Sequence, residues 1–161
     1  MRAWMRLELT DRDGVVRTVR EAHNAVMRDG ALLVAQLFSG AANTAPITHI
    51  GVGTSDAPEA GEFTTTALAN DPPLTGDTVA PIAAESFTVS TDPERRVAVV
   101  RVRATLPNTA AQGTICEAGL VSSSGATSVL YNRVTFAPLD KAGDHELTLF
   151  WEVTFPYGDL A

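Results

Sequence analysis

The residues best suited to catalysis are few and far apart. The chain carries three histidines, His23, His49 and His145, and one cysteine, Cys116. A hydrolytic triad needs a nucleophile and an orienting acid beside such a histidine, and no G-x-S-x-G elbow occurs. His49 stands between Thr48 and Ile50 and reads as a half-buried strand residue, while His145 follows Asp144 in a turn. One cysteine and three scattered histidines supply no ligand pair at fixed spacing, so no metal and no cofactor are expected. A lone cysteine also excludes an internal disulfide, and its apolar neighbours mark Cys116 as a small buried hydrophobe. Asp11 and Asp13 begin like a calcium loop, but Val19 and His23 cannot serve as its later ligands. Gly51-Val-Gly53 begins like a dinucleotide fingerprint, lacks the third glycine and opens no helix. The chain is therefore expected not to be an enzyme.

One charged pair stands out. Glu117 lies in Ile115-Cys-Glu-Ala-Gly-Leu-Val121 and Arg133 in Leu130-Tyr-Asn-Arg-Val-Thr-Phe136. A carboxylate among such neighbours is almost never buried alone. The turn Ser122 to Thr127 would set the two segments side by side, and an arginine there could meet the carboxylate in a bidentate pair. Nothing near it offers a second catalytic group, so the expected role is an ion pair that holds strand register.

The elements that would position this pair are mostly strands. Arg6 to Thr10 alternates polar and apolar residues, Asp11-Arg-Asp-Gly14 supplies turn chemistry, and Val15 to Val19 resumes the strand pattern, which predicts a hairpin. A helix is predicted over Ala31 to Ser39, with Asp29 as N-cap and Gly40 as its stop. Its residues Leu32, Leu33, Val34, Ala35, Leu37 and Phe38 leave almost no polar face, so it should be buried in its own core or under a neighbouring subunit. Further strands are predicted at Ile47 to Val52, Arg95 to Leu106, Thr114 to Val121, Ser128 to Phe136 and Glu146 to Phe155. In the last of these, Leu147, Leu149, Trp151, Val153 and Phe155 share one face, which marks a central strand. Strands separated by Gly, Pro, Asn and Ser breaks point to an antiparallel β-sandwich, mainly β with one N-terminal helix. The expected organisation is a single domain, with hairpin and helix in residues 1–45 and the sandwich in 46–161. A long loop, 53–80, is expected to be functional, partly disordered or ordered by a partner.

Composition narrows the partners. The chain has 161 residues, 45% of them hydrophobic, and a net charge of −7 from 12 basic and 19 acidic residues. Acidic residues interrupt the N-terminal arginines, so no nucleic-acid partner is expected. No stretch is long and apolar enough for a bilayer, and the N-terminus lacks the apolar region of a signal peptide, so neither a membrane partner nor export is expected.

Three segments together resemble a known family. They are Pro46-Ile-Thr-His-Ile-Gly-Val-Gly-Thr54 with Thr66-Ala-Leu68, then Ile115-Cys-Glu-Ala-Gly-Leu120, then Leu130-Tyr-Asn-Arg-Val-Thr-Phe-Ala-Pro138 with the closing strand Glu146 to Phe155. In this order they resemble small phage structural proteins of the tail-fibre, baseplate-appendage and head-decoration type, also found in phage-derived contractile injection systems. The resemblance implies a virion or phage-tail-like particle component, made in the cytoplasm, with no catalytic residue to carry over. Glu117 and Arg133 match the family's recurrent Glu and Arg, which implies a structural role for both. The chain ends at Ala161 without a shaft or receptor-binding tip, so an adaptor, collar, baseplate or appendage subunit is the expectation. The alternatives are a capsid decoration protein and a carbohydrate-binding or adhesin module. The expected partners are further copies of the chain and other particle proteins, with host-surface contact as a further option. Candidate interface residues are Trp4 near the chain end, Leu33, Leu37 and Phe38 on the helix, and Phe63, Leu68 and Leu74 in the long loop.

Overall fold

The structure is a computed structural model that describes residues 1–159; residues 160 and 161, the end of the expected domain, lie outside the described residues. Among the described residues, eleven strands and one α-helix follow in the order β1 (Arg2–Thr10), β2 (Val16–His23), β3 (Ala25–Val26), α1 (Arg28–Ser39), β4 (His49–Gly53), β5 (Val79–Pro81), β6 (Phe87–Asp92), β7 (Val97–Leu106), β8 (Gly113–Ser124), β9 (Thr127–Leu130), β10 (Asn132–Lys141) and β11 (Glu146–Pro156). They form an antiparallel β-sandwich. One sheet has the order β2-β1-β11-β7-β6, and the other β3-β10-β8-β4-β5, with β9 added beside β8.

The hairpin β1–β2 forms where the turn residues place it. Asp11 Oδ1 accepts the N–H groups of Asp13 and Val15, both at 2.9 Å, and Gly14 takes φ 78°. The strand β11 lies between β1 and β7 along its length. Its residues Leu147, Leu149, Trp151 and Val153 are buried in the core shared by the two sheets. At about 1.5–3 kcal/mol for each fully buried large apolar side chain, this strand anchors the sandwich.

Four details depart from the sequence reading. The segment Ser128 to Phe136 is not one strand: it breaks at Tyr131 into β9 and β10. The Tyr131 carbonyl turns to accept the Met27 N–H at 3.0 Å, which ties this break to the start of the helix. The helix itself starts at Arg28, and its N-cap is Met27, not Asp29; no side chain caps it. Asp29 lies instead in the first turn, where a carboxylate still meets the positive end of the helix dipole. Gly40 does end the helix, at φ 67°, with the Ala41 N–H reaching back to the Gln36 carbonyl.

The other two departures concern strands that the sequence reading did not assign and a helix that its own core does not cover all round. The strands β3, β5 and β6 had no clear apolar signal; β3 and β5 are two and three residues long, and β6 is largely exposed. Helix α1 is not buried all round within its own chain, the first of the two expected ways to cover it. Only Gly30 and Leu33 are buried, while Leu32, Leu37 and Phe38 stay exposed. The reason is geometric: α1 sits against one end of the sandwich, so a single stripe of it can face the core.

Candidate functional site

The strand β8 is buried on both faces from Ile115 to Ser122. Its inward residues Ala118 and Leu120 join the main core, and its outward residue Val121 packs with Met27, Leu130 and Leu68 in a second, smaller cluster. Glu117 shares the outward face with Val121, four residues on, which is two repeats of the pleat.

Glu117 and Arg133 meet there. Glu117 is paired with Thr135 in register, and Arg133 lies two residues before Thr135 on the same face, so the two charges are diagonal neighbours. Arg133 Nε donates to Glu117 Oε2 at 2.6 Å, with the side chains only 6% and 1% exposed. The remaining guanidinium donors turn to the long loop: Nη1 reaches Glu59 Oε2 at 3.1 Å and Nη2 the Ala57 carbonyl at 2.9 Å. Glu117 Oε1 accepts the Ala69 N–H at 2.6 Å, and Glu59 Oε1 accepts the Thr65 hydroxyl at 2.7 Å. The pair is thus the centre of a buried triad, Glu117–Arg133–Glu59, which clamps the segment 55–69 over the outer face of the sheet.

Sequence spacing pointed to the pair but not to Glu59, which lies among several exposed loop acids and carries no local apolar signal. Gly53 completes the clamp. It is paired with Glu117, and a Cβ there would run into the Glu117 carboxylate and the Ala69 carbonyl. The Gly51-Val-Gly53 glycines therefore serve close approach of the loop and the Glu117 carboxylate. Further bonds hold the far end of the loop: the Thr54 hydroxyl bonds Asp71, and Asn70 Oδ1 accepts the Leu74 N–H at 2.9 Å.

Two other buried polar groups brace the scaffold. Asn132 Oδ1 accepts the Leu120 N–H at 2.8 Å beside the break at Tyr131. Lys141 Nζ gives its protons to the carbonyls of Ala110, Pro107 and Asn108, and burial holds its pKa below the ordinary value. Burial likewise pushes the Tyr131 phenol up to about 12 and the Cys116 thiol above its usual value. Neither group therefore carries charge near neutral pH.

The histidines do not converge. His23 is exposed at the end of β2, His49 Nδ1 lies 2.7 Å from the Thr48 hydroxyl, and His145 Nδ1 accepts the Ala142 N–H in the last turn. Among the described residues, no three His, Cys, Asp or Glu side chains group to hold a metal ion. The triad is closed to solvent at Glu117, so its geometry suits a clamp.

The candidate interface residues separate into two groups. Leu33 and Leu74 are buried within the chain, Leu74 in the main core. They cannot anchor a partner, because the sandwich end and the returning loop already cover them. Leu68 is half-buried against the smaller outer cluster. Trp4 lies inside β1, paired with Glu152 and His23, and is half-buried on the outer face. Leu37, Phe38 and Phe63 remain exposed, and Phe38 is 95% exposed. Leu37 also lines a cleft of about 210 Å³ between α1 and the sheets, walled by Leu33, Phe87, Val100, Leu120 and Phe155 among others, all apolar where they face it. Compared with protein-family models, curated proteins and solved structures, the chain has no match.

Proposed function

We propose that the chain is a structural subunit of a phage virion or phage-tail-like particle, placed as an adaptor, collar, baseplate or appendage component. It acts through protein contacts and performs no catalysis. The observation that carries this reading is the uncovered apolar surface of α1. Leu32, Leu37 and the 95% exposed Phe38 are all exposed on α1, and Leu37 also lines an apolar cleft, a surface that a partner protein would cover. The clamp fits the same role. The three segments that resemble phage structural proteins supply Gly53, Glu117 and Arg133, the residues that lock the long loop onto the sheet. A locked loop presents a rigid surface, which lowers the entropic cost of assembly.

The test is electron microscopy of native particles from the source cells, with this chain identified by mass spectrometry and traced in the map. The expected result is a repeated subunit with α1 covered by another chain. Particles that lack the chain, or that leave Leu37 and Phe38 open to water, would overturn the reading.

A further inference from the structure

Helix α1 presents two different faces. Gly30, Leu33, Val34 and Leu37 recur at helical spacing and turn to the sandwich, where Gly30 lies against the Tyr131 carbonyl and the other three wall the apolar cleft. Ala31, Ala35 and Phe38 recur at i, i+4 and i+7 on a neighbouring face, and all three are exposed. Among the described residues, Phe38 is the most exposed large apolar side chain.

This outer stripe is ordered by size. Two alanines leave a shallow groove along the helix, and the phenyl ring stands in the last turn, just before Gly40 ends it. Turning a second copy end for end brings the ring of each helix over the alanine groove of the other. The spacing fixes the register. Phe38 falls between Ala31 and Ala35 of the mate when a two-fold axis passes beside Ala35, so both rings and both grooves are matched at once. Ala35 then meets its own mate at the closest point, where a one-carbon side chain lets the helix axes approach to about 8 Å. The chain beyond the helix leaves room for this, because Gly40, Ala41 and Ala42 are small and exposed. Charge does not oppose it. The chain has a net charge of −7, yet no Asp, Glu, Lys or Arg occurs from Gly30 to Ser55, so the stripe itself sets no like charges against each other.

We infer that α1 packs antiparallel against α1 of a second copy about a two-fold axis beside Ala35, with Phe38 of each copy seated over Ala31 and Ala35 of the other. An isologous contact needs one surface that matches itself, and a stripe holding both the knob and the groove does so. Any other protein would have to supply the same spacing of ring and small residues. Naming the partner in this way rests on the reading of α1 as a protein contact. A helix of 12 residues is about 18 Å long, so the seam is smaller than a standard interface and association is weak and concentration-dependent.

The test uses the full chain. Sedimentation equilibrium at rising concentration should carry the wild-type mass from 17.0 kDa towards twice that value, while Phe38→Ser stays at the single-chain mass. Ala35→Cys should crosslink to a covalent dimer under mild oxidation, because Cα atoms beside the axis come within disulfide reach. Gln36→Cys is the control, since Gln36 is also exposed but lies about 100° further round the helix, away from the mate. Native Cys116 is buried and does not compete. A wild type that keeps the single-chain mass up to millimolar concentration overturns the inference. So does a Phe38→Ser protein that associates like the wild type, or crosslinking of Gln36→Cys as fast as Ala35→Cys. All three positions are exposed, and circular dichroism checks that each variant keeps its helix and strands. The map of the native particle separates this inference from the particle reading. An α1 covered there by a different protein overturns the pairing of copies alone, whereas a solution dimer of a chain found in no particle overturns the particle reading alone.

Discussion

Breaking the clamp should cost stability in a way that distinguishes its members. Arg133→Met leaves two carboxylates, Glu117 and Glu59, facing each other without their shared cation. Removing one partner of a buried pair costs about 3–5 kcal/mol, and this variant should fall at the upper end. Glu117→Gln leaves Arg133 with Glu59 and the Ala57 carbonyl, and the amide oxygen can still accept the Ala69 N–H. Its cost should lie near the lower end, about 3 kcal/mol. For a chain of this length, 3 kcal/mol corresponds to a fall in Tm of roughly 6–12 °C. Urea unfolding of the two single variants and the double variant forms a cycle, and the expected coupling is about 2 kcal/mol. Hydrogen exchange adds a local readout: the Ala69 amide should lose protection in Arg133→Met. A coupling below about 0.5 kcal/mol, or an Ala69 amide that exchanges as in the wild type, would refute the claim that the triad holds the loop.

Gly30→Ala should destabilise the protein by about 1–3 kcal/mol, although alanine is the better helix former, because the added Cβ runs into the Tyr131 carbonyl; thermal melts of both proteins check the sign. The Val15 N–H, ahead of the bonds from Arg17 and Asp13, holds the Asp11 carboxyl below its ordinary 3.8. A depressed acid pKa stabilises above the unfolded value and is lost as pH falls through the folded one, so exchange at the Val15 amide should quicken below pH 3.8 in the wild type and show no such step in Asp11→Asn. Cys116 should resist a thiol reagent in the native state and react only at the unfolding rate, since the buried thiol resists ionisation; prompt labelling would contradict its burial.

Local pattern was enough for much of this molecule. Alternation in Glu146 to Phe155 is a one-dimensional signal, and it placed β11 at the centre because five large apolar side chains on one face need covering along the whole strand. Asp11 to Gly14 specified its turn through bonds that span four residues, and Gly40 ended α1 through its own φ angle. Glu117 was legible because its neighbours left it nowhere polar to go, and Arg133 because the intervening turn was short.

Tertiary structure decided what depends on distance across the fold. Glu59 is separated from Arg133 by 74 residues, and nothing in its local segment distinguishes it from the other loop acids. The break at Tyr131 follows from the helix start that docks on its carbonyl, not from any breaker residue in Leu130-Tyr-Asn132. Hydrophobicity alone assigned Leu33, Leu74, Leu37 and Phe38 to one class. Packing then divided them, because a helix resting on the end of a sandwich buries one stripe, and a returning loop buries the residues that reach the gap between sheets. Which side chains remain outside is a property of the closed surface, and no window of sequence contains it.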